Sequence, residues 1–221
     1  YDSRGRVVGI AYCGIDGSPK MLPGGYDAIA YEYDESGNVA RMTYLRGGSP
    51  ARIDEGYAAI AKEYDARGRT VRATYLDESG AAVRSKAGYA QVAYGYDEHG
   101  RRNLVAYLDA RGNPAALPDG RSMEASLYDE RGYLVEIRYL NPEGAPVNVS
   151  GLYAAVRYAR DARGNILRTE YLDAAMRPMQ YGGSASVVKE YDERNRATQI
   201  SWLDEDGSAA ARPEGYAAIS Y

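Results

Sequence analysis

One motif returns along this chain at a nearly constant interval. Tyr-Asp-x-x-Gly begins at Tyr1, Tyr33, Tyr64, Tyr96 and Tyr128, and degenerate copies begin at Arg160 and Tyr191. The intervals are 32, 31, 32, 32, 32 and 31 residues. A fixed period of this length means repeated supersecondary units, each too small to bury its own apolar face. The motif itself reads as a hairpin loop. An Asp at the loop start accepts backbone N–H groups, and a Gly three residues later takes the left-handed conformation. The structural turn residues are therefore Asp34 with Gly37, Asp65 with Gly68, Asp97 with Gly100, Asp129 with Gly132, and Asp161 with Gly164. In the copy at Asp192 the glycine is replaced by Asn195, the next-best residue for a positive φ.

Eleven residues after each motif tyrosine comes an aromatic-Leu pair. Its aromatic members form the expected structural column Tyr12, Tyr44, Tyr75, Tyr107, Tyr139, Tyr171 and Trp202. Cys13 occupies the Leu slot of the first copy, where it reads as a small buried hydrophobe. Between the landmarks the chain alternates: Val135, Ile137 and Tyr139 share one face, Glu136 and Arg138 the other. Period two is the pattern of a half-buried strand. A second turn follows, as in Asp77 to Gly80 and Asn141 to Gly144, and then, in most copies, a proline: Pro19, Pro50, Pro114, Pro146 or Pro178. Proline lacks an N–H, so this segment reads as an edge or a connector. The tighter Arg46-Gly-Gly-Ser49 turn accounts for the first 31-residue interval. Each unit closes on Gly-Tyr-Ala-x-Ile/Val, giving a second column of Ile29, Ile60, Val92, Val156, Val187 and Ile219. The small Ala face beside it predicts a close-packed neighbour. Arg121 to Glu124 breaks this pattern.

The predicted fold class is all-β: a tandem-repeat array of antiparallel β-hairpins, elongated or solenoid-like, about 32 residues per unit and about seven units. It is a single array over 1–221, with approximate units 1–24 (partial), 25–55, 56–87, 88–119, 120–151, 152–182, 183–214 and 215–221 (partial). Tyr1 is in register with Tyr33 and Tyr221 with Tyr31. The expectation is a segment of a continuing array, by covalent repetition or end-to-end assembly; a closed ring ranks last.

Composition narrows the function. The chain has 23 Tyr, no Phe and one Trp. A Tyr buries a ring while keeping its hydroxyl wet or hydrogen-bonded, which suits thin packing layers. The net charge of −4 argues against nucleic acid and anionic membrane surfaces, and no apolar run is long enough for membrane insertion. One Cys and one His, His99 in a turn, exclude the usual zinc and haem ligand sets within one chain. The carboxylates recur with the turns, which marks them as structural, since a catalytic pair is normally unique. No enzyme activity and no cofactor is expected; calcium at the Asp-rich turns stays open.

The segment carried by Tyr31, Tyr33, Asp34, Gly37, Asn38, Val39 and Tyr44, with its later copies, resembles the Rhs/YD-repeat family. The match covers about half of most units. The family's usual repeat is shorter and lacks the Gly-Tyr-Ala segment and the Pro connector. Other tyrosine-rich hairpin arrays of bacterial surface proteins resemble the chain about as well. The resemblance implies β-sheet shells of bacterial surface and toxin-delivery proteins and animal cell-surface receptors, and it supplies no catalytic residue. The expected function is a non-catalytic structural scaffold of a bacterial extracellular or cell-surface protein or filament, with further copies of the repeat as partners. Two alternatives stay open: a glycan or cell-wall binding module using exposed Tyr platforms, and an intracellular protein–protein interaction scaffold.

Overall fold

Period-two patterning between Asp/Gly turns can satisfy its backbone only by pairing each strand with its chain neighbours. The computed structural model describes residues 1–221 and shows this pairing throughout. Its strands are β1 (Gly9–Ala11), β2 (Ala28–Tyr33), β3 (Val39–Arg46), the two-residue β4 (Ser49–Pro50), β5 (Ala59–Tyr64), β6 (Thr70–Leu76), β7 (Gln91–Tyr96), β8 (Arg102–Leu108), β9 (Met123–Tyr128), β10 (Leu134–Leu140), β11 (Ala155–Arg160), β12 (Ile166–Leu172), β13 (Ser186–Tyr191), β14 (Ala197–Leu203) and β15 (Ala218–Ser220). They follow chain order in one open antiparallel sheet, with β4 pairing β3 off the main path. The fold is all-β and has no α-helix; a three-residue 3-10 turn at Val149–Gly151 is the one helical element.

The hairpin loop is built as its residue types demand. At Asp65 the backbone N–H donates to the Arg69 carbonyl (2.9 Å), and Gly68 N–H donates to the Asp65 carbonyl (2.9 Å). The Asp65 Oδ1 accepts the N–H groups of Arg67 and Arg69 at 2.9 and 3.0 Å. Such a loop needs a positive φ at its fourth residue, and Gly68 stands at 74°. Asn195 holds the equivalent place at 61°. Past the loop the ladder slips by one residue: Tyr64 pairs with Thr70 but Glu63 pairs with Arg72, leaving Val71 as a bulge. The same slip follows Glu32, Ala159 and Glu190.

The two predicted columns meet face to face. Ile29 lies directly opposite Tyr44, Ile60 opposite Tyr75, Val156 opposite Tyr171 and Val187 opposite Trp202. Directly opposed residues in an antiparallel pair share a face, so each branched aliphatic side chain packs on a ring.

The proline connectors fold back along the strand they follow. Pro114, Pro146 and Pro178 form single bridges to Leu108, Leu140 and Leu172. The next residue's N–H donates to the aromatic carbonyl, as in Ala115 to Tyr107 (2.9 Å) and Val147 to Tyr139 (3.0 Å). Proline thus sits where the ladder asks for no donor. Neighbouring connectors also bond to each other: Lys86 N–H donates to the Glu55 carbonyl (2.8 Å), and Ser150 N–H to the Asp119 carbonyl (3.0 Å).

The chain divides into two compact units, Tyr1–Tyr96 with Val105–Leu117, and Asp97–Leu104 with Pro118–Tyr221. The first buries Ile29, Ile53, Ala58, Ala59, Leu76, Ala90, Val92 and Leu108. The second buries Ala154, Ala155, Val156, Leu172, Ala185 and Ala210, with Ser122 and Ser186 beside them. The fully buried alanines are the small face of the Gly-Tyr-Ala segments. Leu172 is the largest side chain removed entirely from solvent, at 0% exposure. Truncating it to Ala deletes a well-packed group with no solvent to fill the gap. Leu172→Ala is expected to lower stability by about 3 kcal/mol, measured by urea unfolding.

Candidate functional site

Two features recur in every repeat and carry its polar and aromatic chemistry: a ladder of rings, and a staple beside the hairpin loop. In the first unit the ladder runs Tyr12, Tyr26, Tyr44, Tyr57, Tyr75, Tyr89, Tyr107, with successive centroids 6.0, 4.9, 6.1, 4.5, 5.7 and 4.9 Å apart. The column residues therefore do not touch one another. Equivalent rings lie two strands apart, about 10 Å, and a tyrosine of the Gly-Tyr-Ala segment fills each gap. In the second unit Tyr139 contacts Tyr153 at 6.0 Å, and Tyr153 contacts Tyr171 at 5.3 Å. Tyr181, from a connector, lies 4.7 Å from both Tyr153 and Tyr171. Trp202 contacts Tyr216 at 5.8 Å. Arg121 stands in the slot that Tyr fills elsewhere; its guanidinium lies 5.6 Å from the Tyr139 ring centre and pairs with Glu124 at 2.8 Å.

The ladder rings are half-buried. Burial, reinforced by the neighbouring phenols, raises the Tyr44 hydroxyl well above the usual tyrosine range. Burial does the same at Tyr75, and pushes Tyr139 up to about 12. These phenols are neutral through physiological pH.

The staple is made by the motif tyrosine. Its hydroxyl donates to a main-chain carbonyl of the preceding hairpin: Tyr33 to Val7 (2.7 Å), Tyr64 to Val39 (2.8 Å), Tyr96 to Thr70 (2.8 Å), Tyr128 to Arg102 (3.0 Å) and Tyr191 to Ile166 (3.2 Å). At three of these an arginine from the preceding loop lies on the ring; the loops before Tyr64 and Tyr191 carry Asn38 and Asn165 in that place. Arg6 sits 4.2 Å above Tyr33, Arg69 4.3 Å above Tyr96 and Arg101 4.7 Å above Tyr128. Each is aimed by its own loop aspartate, as Arg69 Nε is by Asp65 Oδ2 at 2.7 Å. That bond, followed by backbone donors, holds the Asp65 carboxyl below the usual carboxylate range.

The degenerate copy inverts the pair. Arg160 occupies the tyrosine slot, and Tyr133 occupies the arginine slot of the preceding loop. Their guanidinium and ring lie 5.4 Å apart. Arg160 Nε points to the equivalent carbonyl, Leu134, at 3.4 Å, and Nη1 donates to the Gly164 carbonyl at 2.9 Å. A Cβ at Gly164 would meet the Tyr133 ring at 2.6 Å, so this junction also requires glycine for space.

The remaining candidates for chemistry are accounted for locally. The loop aspartates spend their oxygens on backbone and side-chain donors, and no group of three or more His, Cys, Asp or Glu residues could hold a metal. His99 is a loop residue whose N–H donates to Asp97. Cys13 is not the buried hydrophobe its Leu slot suggests: it is exposed, just past β1, the terminal strand of the sheet, and its backbone pairs with Pro19. Glu136, 6% exposed, is held by Arg138 and by Arg157 at 2.9 Å. No helix is long and apolar enough to cross a membrane.

No protein-family model matches the chain, and no curated protein matches it. Solved structures do. A crystal structure of TcdB2–TccC3–Cdc42 superposes with a TM-score of 0.55 at 13% identity over 96% of this chain. One of TcdB2–TccC3–TEV superposes with a TM-score of 0.51, also at 13% identity over 96%. The fold is a Rhs/YD-like β-repeat fold. The present chain spans about a tenth of the length of those solved chains, covering 10% of each.

Two outcomes follow from the pairings. Arg160→Tyr and Tyr133→Arg are each expected to cost about 1 kcal/mol, while the double exchange restores stability to within a few tenths; a double-mutant cycle by urea unfolding measures the coupling. The ladder sets the alkaline limit. Folded phenols titrate above the unfolded value near 10, so their contribution is intact below about pH 10 and is lost as pH rises through the raised values. The melting temperature should fall above about pH 10, with phenolate absorbance rising in step with unfolding.

Proposed function

We propose that this chain is a non-catalytic structural scaffold, working on the outside of a bacterial cell as part of a surface protein, a filament or a toxin-delivery shell. The observation that carries this reading is the staple. The motif tyrosine gives its hydroxyl to the neighbouring hairpin, and at Tyr33, Tyr96 and Tyr128 it also gives its ring to that hairpin's arginine. The loop aspartates are likewise committed to their own loop, to its backbone N–H groups and, where present, its arginine or asparagine. A chain whose repeated polar groups are spent on holding repeats together is built for extension. Its partners on this reading are further copies of the repeat, in the same chain or in another. The extracellular setting rests on the Rhs/YD-like fold.

The half-exposed ladder supports a second reading, a glycan platform. Tyr57 and Tyr75 lie 4.5 Å apart at 33°, the flattest pair in the ladder. One experiment separates the two. Tyr75→Ala should lower the melting temperature by several degrees, as expected for losing a half-buried ring worth about 2 kcal/mol, and a glycan array should show no retention of the parent chain. Retention of the parent on peptidoglycan or another glycan, abolished by Tyr75→Ala at unchanged melting temperature, would overturn the scaffold in favour of the platform.

A further inference from the structure

The ladder contains more phenol than packing requires. Phenylalanine would stack as well, yet the chain has none. The staple explains the hydroxyls of the motif tyrosines, but not those of the ladder. The ladder phenols instead lie against one another, as Tyr44 does against Tyr57 (6.1 Å) and Tyr75 against Tyr89 (5.7 Å). A phenol that touches a second ring has a neighbour to which an electron or a new bond can pass.

At one place a third ring joins the ladder. Tyr181 is 37% exposed, so an oxidant can reach it. Its ring lies 4.7 Å from Tyr153, at 74°, and 4.7 Å from Tyr171, at 56°. Tyr153 and Tyr171 are themselves 5.3 Å apart. Tyr153 opens one hairpin, Tyr171 closes it, and Tyr181 belongs to the connector that leaves it. The turn around Tyr181 is closed by Tyr181 N–H to the Ser184 carbonyl at 2.9 Å. The connector thus holds this ring against the other two without drawing on any group of the staple.

From this arrangement we infer that the Tyr153, Tyr171 and Tyr181 cluster is an oxidative cross-linking site, at which a haem-peroxidase-type one-electron oxidant joins Tyr181 to Tyr153 or Tyr171 as dityrosine. The balance is simple. Each of two phenols gives one electron and its phenolic proton, and the two phenoxyl radicals form a carbon–carbon bond between positions ortho to oxygen. Each ring then returns its ortho hydrogen to oxygen, so both phenols are restored. The peroxide accepts two electrons and two protons through the haem and leaves as two waters. The product ties a connector to the hairpin before it by a covalent bond, which no disulfide can do in a chain with one cysteine. The inference rests on ring geometry and stands apart from the scaffold reading; it uses no property of extension or location.

The test uses the whole 221-residue chain, dilute, with a haem peroxidase and hydrogen peroxide at neutral pH. The expected result is dityrosine fluorescence in the monomer fraction. A cross-linked peptide pair should map to Tyr181 with Tyr153 or Tyr171, lighter by two hydrogens than the sum of its parts. Tyr181→Phe keeps the ring and removes the phenol; it should lose most of that fluorescence, several-fold against the parent, with an unchanged far-ultraviolet spectrum. Mapping the parent alone already decides the matter if the variant folds poorly. Cross-links found only between chains, through the exposed Tyr1, Tyr133 and Tyr221, would overturn the inference. So would the same links at the same yield in the urea-unfolded chain, or full fluorescence in a folded Tyr181→Phe.

Discussion

A two-stranded hairpin in water has nothing to bury its face against, so this protein depends on what each hairpin offers the next. The tyrosine hydroxyl that reaches back to the preceding hairpin's carbonyl is the side-chain form of that offer. It serves two ends at once. The carbonyl lies just past the loop, beside the bulge, where the ladder has slipped and backbone pairing is interrupted. The hydroxyl supplies a donor there, and at Tyr33, Tyr96 and Tyr128 the ring it carries covers the loop's arginine. Each such bond is worth about 1 kcal/mol net, and its geometry fixes which residue of one repeat faces which residue of the next.

The packing explains why the chain chose tyrosine. Fully buried side chains are small, Ala and Ser, with Leu172 as the exception. Layers this thin leave every large ring with a wet edge. Phenylalanine would waste that edge, whereas tyrosine puts a hydroxyl there. Stability is therefore distributed over many half-buried rings, short connectors and backbone ladders. The loop ion pairs stay partly open to water, so they act mainly by holding position, and pairs at the surface contribute about 0–1 kcal/mol. Glu136 is the exception, because its 6% exposed carboxylate is gripped by both Arg138 and Arg157, and removing one partner of a buried ion pair is costly.

Much of the fold was legible from residue types alone. Asp and Gly at fixed offsets announce loops for a stereochemical reason, and alternation announces strands for a geometric one. The pairing of Ile29 with Tyr44 follows once the loop is counted. The interleaving of the ladder was not legible, because it depends on strand spacing: Tyr44 and Tyr75 look like neighbours in the repeat, but a strand separates them. The bulge after the loop leaves no compositional mark. The staple was hidden for another reason. The motif tyrosine reads as a strand residue, and nothing local says that its hydroxyl ends on a carbonyl some 25 residues earlier. Arg160 looked like a decayed tyrosine. Only the partner at Tyr133, itself unremarkable, shows that the two changed places.

That exchange bears on how such an array can change length. Genes made of near-identical units lose and gain copies by misaligned recombination, and most such events here would leave every junction with a ring facing an arginine or an amide. The exchanged junction is different. Removing residues 102–133 would bring Arg101 opposite Arg160, two guanidiniums with no ring between them. Removing residues 134–165 would bring Tyr133 opposite Tyr191, two rings with no cation. A single inverted pair thus marks one boundary as non-interchangeable, and the number of units on either side of it is counted by chemistry as well as by inheritance.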